Sequence, residues 1–424
     1  MWLLLLMIAI MPYEQSPYLY LGSNLFGIFP DFTAIKLLGL LGFAWAGLRM
    51  ASGDATVARL GSRQARLYFL FLLGVAALGV LHGTGFGYGI GRYIAYAVFL
   101  PFVVVAVRTQ ADLERALKWL VLSYVAVFPY AVRQMLRYGE RLGIGVYESN
   151  YLATILVLVV PLAFAFAMQQ RVPARRWLWM GAGLTLVVMI ILTGSRGGFV
   201  GLVAAGVLFV YRRRGLGAAV GVLALLVITV IAVPTELSNR ALSTITGDVS
   251  GRSSAEQTEL KVSNAAHVGL FWAALRMIAE NPVMGVGPLN FKDLSTTYTG
   301  LSTANIAHNM FLEIGAEMGL PVLVIFILIL TSTFHDLGLA ARLRGTPPAQ
   351  NLAGWAQGLR SGLAGYVVSG CFISAEYEKI LWIAVFLSII VGDLARRHRA
   401  AIVAEPEAPE PSVQDMGGVL PQPS

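Results

Sequence analysis

A chain of 424 residues with 57% hydrophobic and only 13% charged residues is not built like a soluble domain, in which about a quarter of the residues carry charge. Its net charge of +8 falls between long apolar blocks, which argues against a nucleic-acid surface and for arginine gathered on one side of a membrane. The single cysteine, Cys371, excludes an intramolecular disulfide.

Apolar blocks recur near 1–13, 33–50, 67–82, 89–106, 118–133, 150–168, 177–193, 197–211, 216–233, 310–334, 357–375 and 379–394. Most approach the roughly 20 residues that cross a bilayer as a helix. They predict an all-α polytopic membrane protein of about 12 transmembrane helices. The first block is short for a crossing, and it lacks the basic n-region and cleavage site of a signal peptide. Residues 1–233 read as a bundle of nine spans, 234–309 as one large loop, and 310–394 as three further spans. Residues 395–424, Pro/Glu-rich through "AEPEAPEPSVQ", read as a disordered tail.

Alternate connections carry Arg49, Arg59, Arg63 and Arg66; Arg108, Arg115 and Lys118; Arg171, Arg175 and Arg176; Arg212 to Arg214; Arg342 and Arg344; and Arg396, Arg397 and Arg399. The positive-inside rule puts these in the cytoplasm with both termini, and puts 234–309 outside. Within that outer loop, "AAHVGLFWAALRMIAEN" sets Val268, Phe271, Trp272, Leu275 and Ile278 at helical spacing. This predicts a helix on the bilayer surface or against the bundle. Asn281-Pro282 should stop it, and "GVGPLNF" should turn tightly.

Several chemistries find no residues here. No carboxylate lies midway through an apolar block, where a proton-coupled transporter would need one. Metalloprotease and Walker motifs are absent. His82, His267, His308, His335 and His398 have no ligand spacing, so no metal and no cofactor are expected.

What remains is a set of outer-face polar groups. "LTGSRGGFVGL" places Ser195 and Arg196 at a membrane boundary. Taken alone, Arg196 reads either as a snorkelling arginine beside a Gly197–Gly201 packing face or as a ligand contact. Ser195 is no protease nucleophile, because a neighbouring arginine does not deprotonate a hydroxyl. Arg133, Arg137 and Arg141 recur at intervals of four. If the helix after Pro129 continues outward, they share one face. That face would be a phosphate platform, since guanidinium forks match phosphate oxygens, or else a solvated helix end. Arg240 and Arg252 stand ready to close over the same place. His308 precedes an apolar helix, with Asn309, Glu313 and Glu317 along its polar edge. An imidazole suits proton transfer from a hydroxyl near neutral pH; the alternative is a helix cap.

In order, "TGSRGG" (193–198), "ENPVMGVGPLNF" (280–291) and "AHNMFLEIGAEMGLPVL" (307–323), with "GVYESNYLATILVLVVPLAFAF" around Asn150, resemble the bacterial O-antigen ligase family. Its relatives are the O-antigen polymerases and bacterial protein O-oligosaccharyltransferases. The resemblance runs from about residue 30 to 394. It implies a glycosyltransferase of the bacterial inner membrane with one large periplasmic loop. Such an enzyme moves a glycan from undecaprenyl pyrophosphate to a hydroxyl of lipid A core, glycan or protein, without metal. It implies that Arg196 contacts the donor pyrophosphate, that His308 activates or positions the acceptor hydroxyl, and that Asn150 and Asn309 support them. One departure stands out: family members carry an arginine just before the loop tryptophan, whereas this chain reads "NAAHVGLFW". Only His267 is near, so either Arg240 or Arg252 substitutes or the donor is held differently. Ligase is the first reading and polymerase the second. A transporter of lipid-linked glycan is the rival from another class, disfavoured by the nearly uncharged spans.

Overall fold

A computed structural model describes residues 1–14, 19–25, 29–84, 88–139, 141–144, 148–232 and 254–404. Among them the chain is almost wholly helical: α1 (Trp2–Ile10), α2 (Ala34–Ala51), α3 (Arg63–Leu81), α4 (Tyr88–Ala106), α5 (Gln110–Ala126), α6 (Phe128–Tyr138), α7 (Ser149–Gln169), α8 (Pro173–Leu192), α9 (Arg196–Arg214), α10 (Leu216–Ala232), α11 (Ser254–Glu280), α12 (Asn290–Thr299), α13 (Met310–Ala340), α14 (Pro347–Ser369) and α15 (Lys379–Ala404). Among the described residues, six stretches are long and apolar enough to cross a membrane: Ala34–Ala51, Arg63–Leu81, Gln110–Tyr138, Ser149–Gln169, Pro173–Leu192 and Met310–Ala340. Helices also form at the other predicted blocks, but α1 is short, and α14 ends at Ser369, before the predicted limit of its span. Residues 395–404, expected to belong to a disordered tail, are helical instead, because α15 runs through its arginines to Ala404; residues 405–424 lie outside the described residues. One departure from all-α is an antiparallel hairpin, β1 (Tyr20–Leu25) with β2 (Phe29–Thr33). It forms in the polar connection that separates two apolar helices.

The centre of the bundle is α7, a run of Leu, Val and Ala buried along nearly its whole length. Glycines let α9 and α14 close onto it. A Cβ on Gly362 would lie 2.0 Å from the carbonyl oxygen of Leu158, and one on Gly365 would lie 2.5 Å from that of Gly201. Backbones this close gain dispersion contacts that larger side chains would prevent.

The arginine-bearing connections meet at one end. Arg59 pairs with Asp393 at 2.8 Å, and its guanidinium also caps the carbonyls of Val104 and Val107. Arg108 pairs with Asp54. Gln110 bonds both the Pro348 carbonyl and His398, and Gln169 bonds the Asn351 carbonyl. The connections that alternate with them lie at the opposite end, where Lys379 at the start of α15 pairs with Glu14 after α1.

The large connection is built differently from its prediction. Helix α11 starts at Ser254, well ahead of the predicted helical segment, and it ends at Glu280 before Asn281-Pro282 as the sequence implies. Its buried face is Leu270, Ala273, Ala274 and Met277, packed on Phe291, Ala307 and Ala316. Val268, Phe271 and Trp272 face outward. That is the arrangement of a helix with a second apolar side for a lipid surface.

Helix α13 is not one straight span. Gly319 (φ 78°, ψ 171°) breaks it one residue before Leu320-Pro321, so Met310–Met318 forms a separate upper segment. The Gly/Pro loop docks into this break. Val286 and Gly287 donate to the carbonyls of Ala316 and Glu317 at 2.8 and 2.9 Å, and Leu320 donates to Pro282 at 2.8 Å. A Cβ on Gly285 would meet the Glu317 carbonyl at 2.3 Å, and one on Gly319 would meet the Val283 oxygen at 2.2 Å. Both glycines also have positive φ, so no other residue fits either position.

Candidate functional site

The upper segment of α13 begins with Asn309 as its cap. The Asn309 side-chain oxygen accepts from the Phe311 and Leu312 amides at 3.0 and 3.1 Å, satisfying donors that a helix start leaves open. Its amide nitrogen donates to the Cys371 carbonyl at 3.0 Å, and the Met310 amide donates to Gly370 at 2.9 Å. The cap thus anchors the segment to the turn that follows α14. One residue earlier, His308 has φ 52°, a conformation uncommon outside glycine that marks a held position. What holds it is Glu313: its buried carboxylate accepts from the Ala307 amide at 3.1 Å and from the Ser374 hydroxyl. Glu317, also buried, accepts from the Phe291 amide at 3.3 Å and the Tyr377 hydroxyl at 3.1 Å. These two carboxylates, which by spacing alone form a polar helix edge, are the fixings between His308, the Gly/Pro loop and the turn at 370–377.

Against the His308 ring stands His267 from α11, with centroids 4.5 Å apart and the rings near edge-to-face. Burial, and after it the His267 ring, pulls the His308 imidazole down to about 4. His267 keeps one side exposed. Desolvation on its other side and the positive charge of Arg196 lower its pKa, while Glu148 opposes them. A ring in this field is neutral near pH 7.

Arg196 is brought to this neighbourhood by the start of α9. Ser195 caps that helix, accepting from the Gly198 amide at 3.2 Å, and its own amide donates to the Thr193 hydroxyl at 3.2 Å. Ser195 is therefore buried and committed to a structural bond. The absent side chain of Gly197 leaves room for Phe372, whose Cβ is 2.8 Å from where a Cβ would be. Arg196 and His308 are thus each one residue from a group that touches the turn at 371–372. The packing reading of Gly197–Gly201 holds as well, and the two readings are compatible.

The expected row of three arginines is split. Gly139, in a left-handed conformation, ends α6 after Tyr138, so Arg133 and Arg137 stay exposed on the helix while Arg141 leaves it. Arg141 turns inward: its Nε donates to the Thr193 carbonyl at 2.6 Å and a terminal nitrogen donates to Asn150 at 3.0 Å. Asn150 in turn donates to Glu148 at 3.0 Å. Arg141 and Asn150 therefore fix the turn from which Arg196 emerges. Arg240 and Arg252 lie outside the described residues.

His267 is the residue that spacing alone undervalued. It sits where an arginine was expected, and its signal was that it was the one polar side chain near that place in "NAAHVGLFW". Chemically, the cluster offers a neutral imidazole beside a guanidinium, at the boundary between apolar helices and an exposed loop. No curated protein matches the chain. Residues 181–327, which contain Ser195, Arg196, His267, the Gly/Pro loop, His308 and Asn309, match the sequence profile of a family described as O-antigen ligase. Over those residues, which hold the site, the chain is similar to the O-antigen ligase family.

Proposed function

We propose that the chain is a glycosyltransferase that moves a glycan from undecaprenyl pyrophosphate to a hydroxyl of a lipid A core acceptor. The observation that carries this reading is the convergence of His308, His267 and the Arg196 turn on one boundary site. The acceptor oxygen attacks the anomeric carbon of the donor and the bond from that carbon to the pyrophosphate oxygen breaks. The acceptor's proton passes to the neutral imidazole of His308. The pyrophosphate leaves with the bonding electrons, and its growing charge is met by Arg196, with Arg133 and Arg137 nearer the solvent. A fixed guanidinium at a partly dry site stabilises such charge without reorganising. A buried imidazole is a weak base in isolation, but the departing anion beside it favours its protonated form as the reaction proceeds. Asn309 and Glu313 hold the base in place, and Arg141 and Asn150 hold the phosphate contact.

The site faces the periplasm of a bacterial inner membrane in this reading, because the arginine-rich connections gather at the other end and such connections stay in the cytoplasm. The polyprenyl tail lies among the spans. A growing glycan chain in place of lipid A core, as in a polymerase, would use the same residues. Reconstitution with labelled undecaprenyl-pyrophosphate glycan tests the proposal. Transfer to acceptor by the parent protein, lost in His308→Ala, supports it; movement of the donor across the bilayer without product replaces the enzyme with a transporter.

A further inference from the structure

At the end of the bundle remote from His308, a cavity of about 710 Å³ opens between α7, α9 and α14. Ligand pockets commonly span roughly 300–1,000 Å³. Arg171, Arg212, Arg213, Arg214 and Arg344 line it, and no Asp or Glu does. Among the described residues none of these arginines makes a salt bridge, although arginines elsewhere at the same end pair with Asp54, Asp112, Asp336 and Asp393. The Nε of Arg213 is buried without a hydrogen-bond partner. Scattered cytoplasmic arginines need no explanation. Like charges crowded into one concavity, while carboxylates are used nearby, do need one, since each guanidinium raises the cost of its neighbour.

The surroundings say more about the occupant. Met168 lines the cavity, and Val172, Trp177 and Leu178, which follow Arg171 into the start of α8, are exposed, Trp177 by 71%. An apolar strip with a tryptophan next to a basic cavity fits acyl chains beside a headgroup at a membrane interface. We infer that this cavity binds phosphate groups, supplied by an anionic phospholipid whose chains lie along the start of α8. Guanidinium forks match phosphate oxygens, and several arginines suit a headgroup with two phosphates. The site is separate from the transfer reaction and does not depend on its assignment.

The test uses the purified full chain in vesicles of phosphatidylcholine with or without cardiolipin, and in detergent with inorganic pyrophosphate. Lipid retention is read by native mass spectrometry and the melting midpoint beside it. Each arginine near a charged lipid is worth roughly fivefold in binding, so Arg171→Ala/Arg344→Ala should retain cardiolipin about 25-fold more weakly. Both positions are exposed, and the apo melting midpoint checks that the variant folds. Arg399→Ala, an exposed arginine outside the cavity, should bind as the parent does. Stabilisation by pyrophosphate that matches cardiolipin and is lost in the double variant keeps the phosphate site but assigns it to a soluble ligand. Equal responses of parent and double variant to both additives overturn the inference.

Discussion

The imidazoles of His308 and His267 meet with ring centroids 4.5 Å apart, joining the start of α13 to the large loop helix. The His267 ring makes a proton on His308 more costly. This contact, with burial, sets the pH behaviour of the site.

If His308 is the base of the proposed transfer, its pKa of about 4 should keep it neutral down to about pH 5. The expected kcat/KM is level from pH 8 to about 5 and falls below that, whereas an ordinary histidine would place the limb near 6.5. Stability follows the same sign. Between about 6.5 and 4 the unfolded chain takes up a proton that folded His308 refuses, so acidification through that window destabilises the fold. Replacing His308 by alanine should lower kcat by about 10²–10⁴; a variant at parental rate rules out the base role.

His267→Ala removes the ring that presses on His308 and lets water in. The acid limb of kcat/KM should therefore move up in pH, toward the ordinary histidine value. An unmoved limb, measured on the same donor, would show that the two rings do not communicate.

Arg196→Lys keeps the charge and loses the fork. If Arg196 holds the pyrophosphate, kcat/KM should drop about tenfold to a hundredfold. Near-parental donor binding would reduce it to an arginine snorkelling beside a packing face.

Gly319→Ala should be severe. The residue adopts a backbone conformation essentially reserved to glycine, and its Cβ would meet the Val283 oxygen at 2.2 Å. A cost of about 3 kcal/mol or more is expected from strain and overpacking. Gly53 also has positive φ but nothing within 4 Å, so Gly53→Ala should cost only about 1 kcal/mol. Thermal unfolding in detergent compares them, and equal midpoints would show that the loop does not dock on the helix.

Chelation should leave transfer unchanged. The carboxylate of Glu14, on the first connection, is engaged by Lys379 and Thr33. Inhibition by chelator that a divalent ion reverses would require a metal-dependent mechanism instead.

The helices were legible because apolar blocks of membrane length admit few other structures, and Asn281-Pro282 and the Gly/Pro loop carried their usual local meaning. Which face of α11 is buried was not legible. Leu270, Ala274 and Met277 and the set Val268, Phe271 and Trp272 are both apolar, and only the partner surface of Phe291 and Ala316 decides between them. The same limit applied to Arg141. A regular interval predicts one helix face only while the helix lasts, and Gly139 ended it. Arg196 and His308 were singled out through neighbouring motifs; Glu313 and Glu317 looked like edge residues because their partners lie in distant segments.

The Gly/Pro loop grips the broken helix through amides and carbonyls that every amino acid supplies. Many of its side chains can therefore drift over generations while the scaffold of the site keeps its shape, provided bulk never enters at 285 or 319. A lineage built this way would shed pairwise likeness quickly and keep a sparse pattern of small residues.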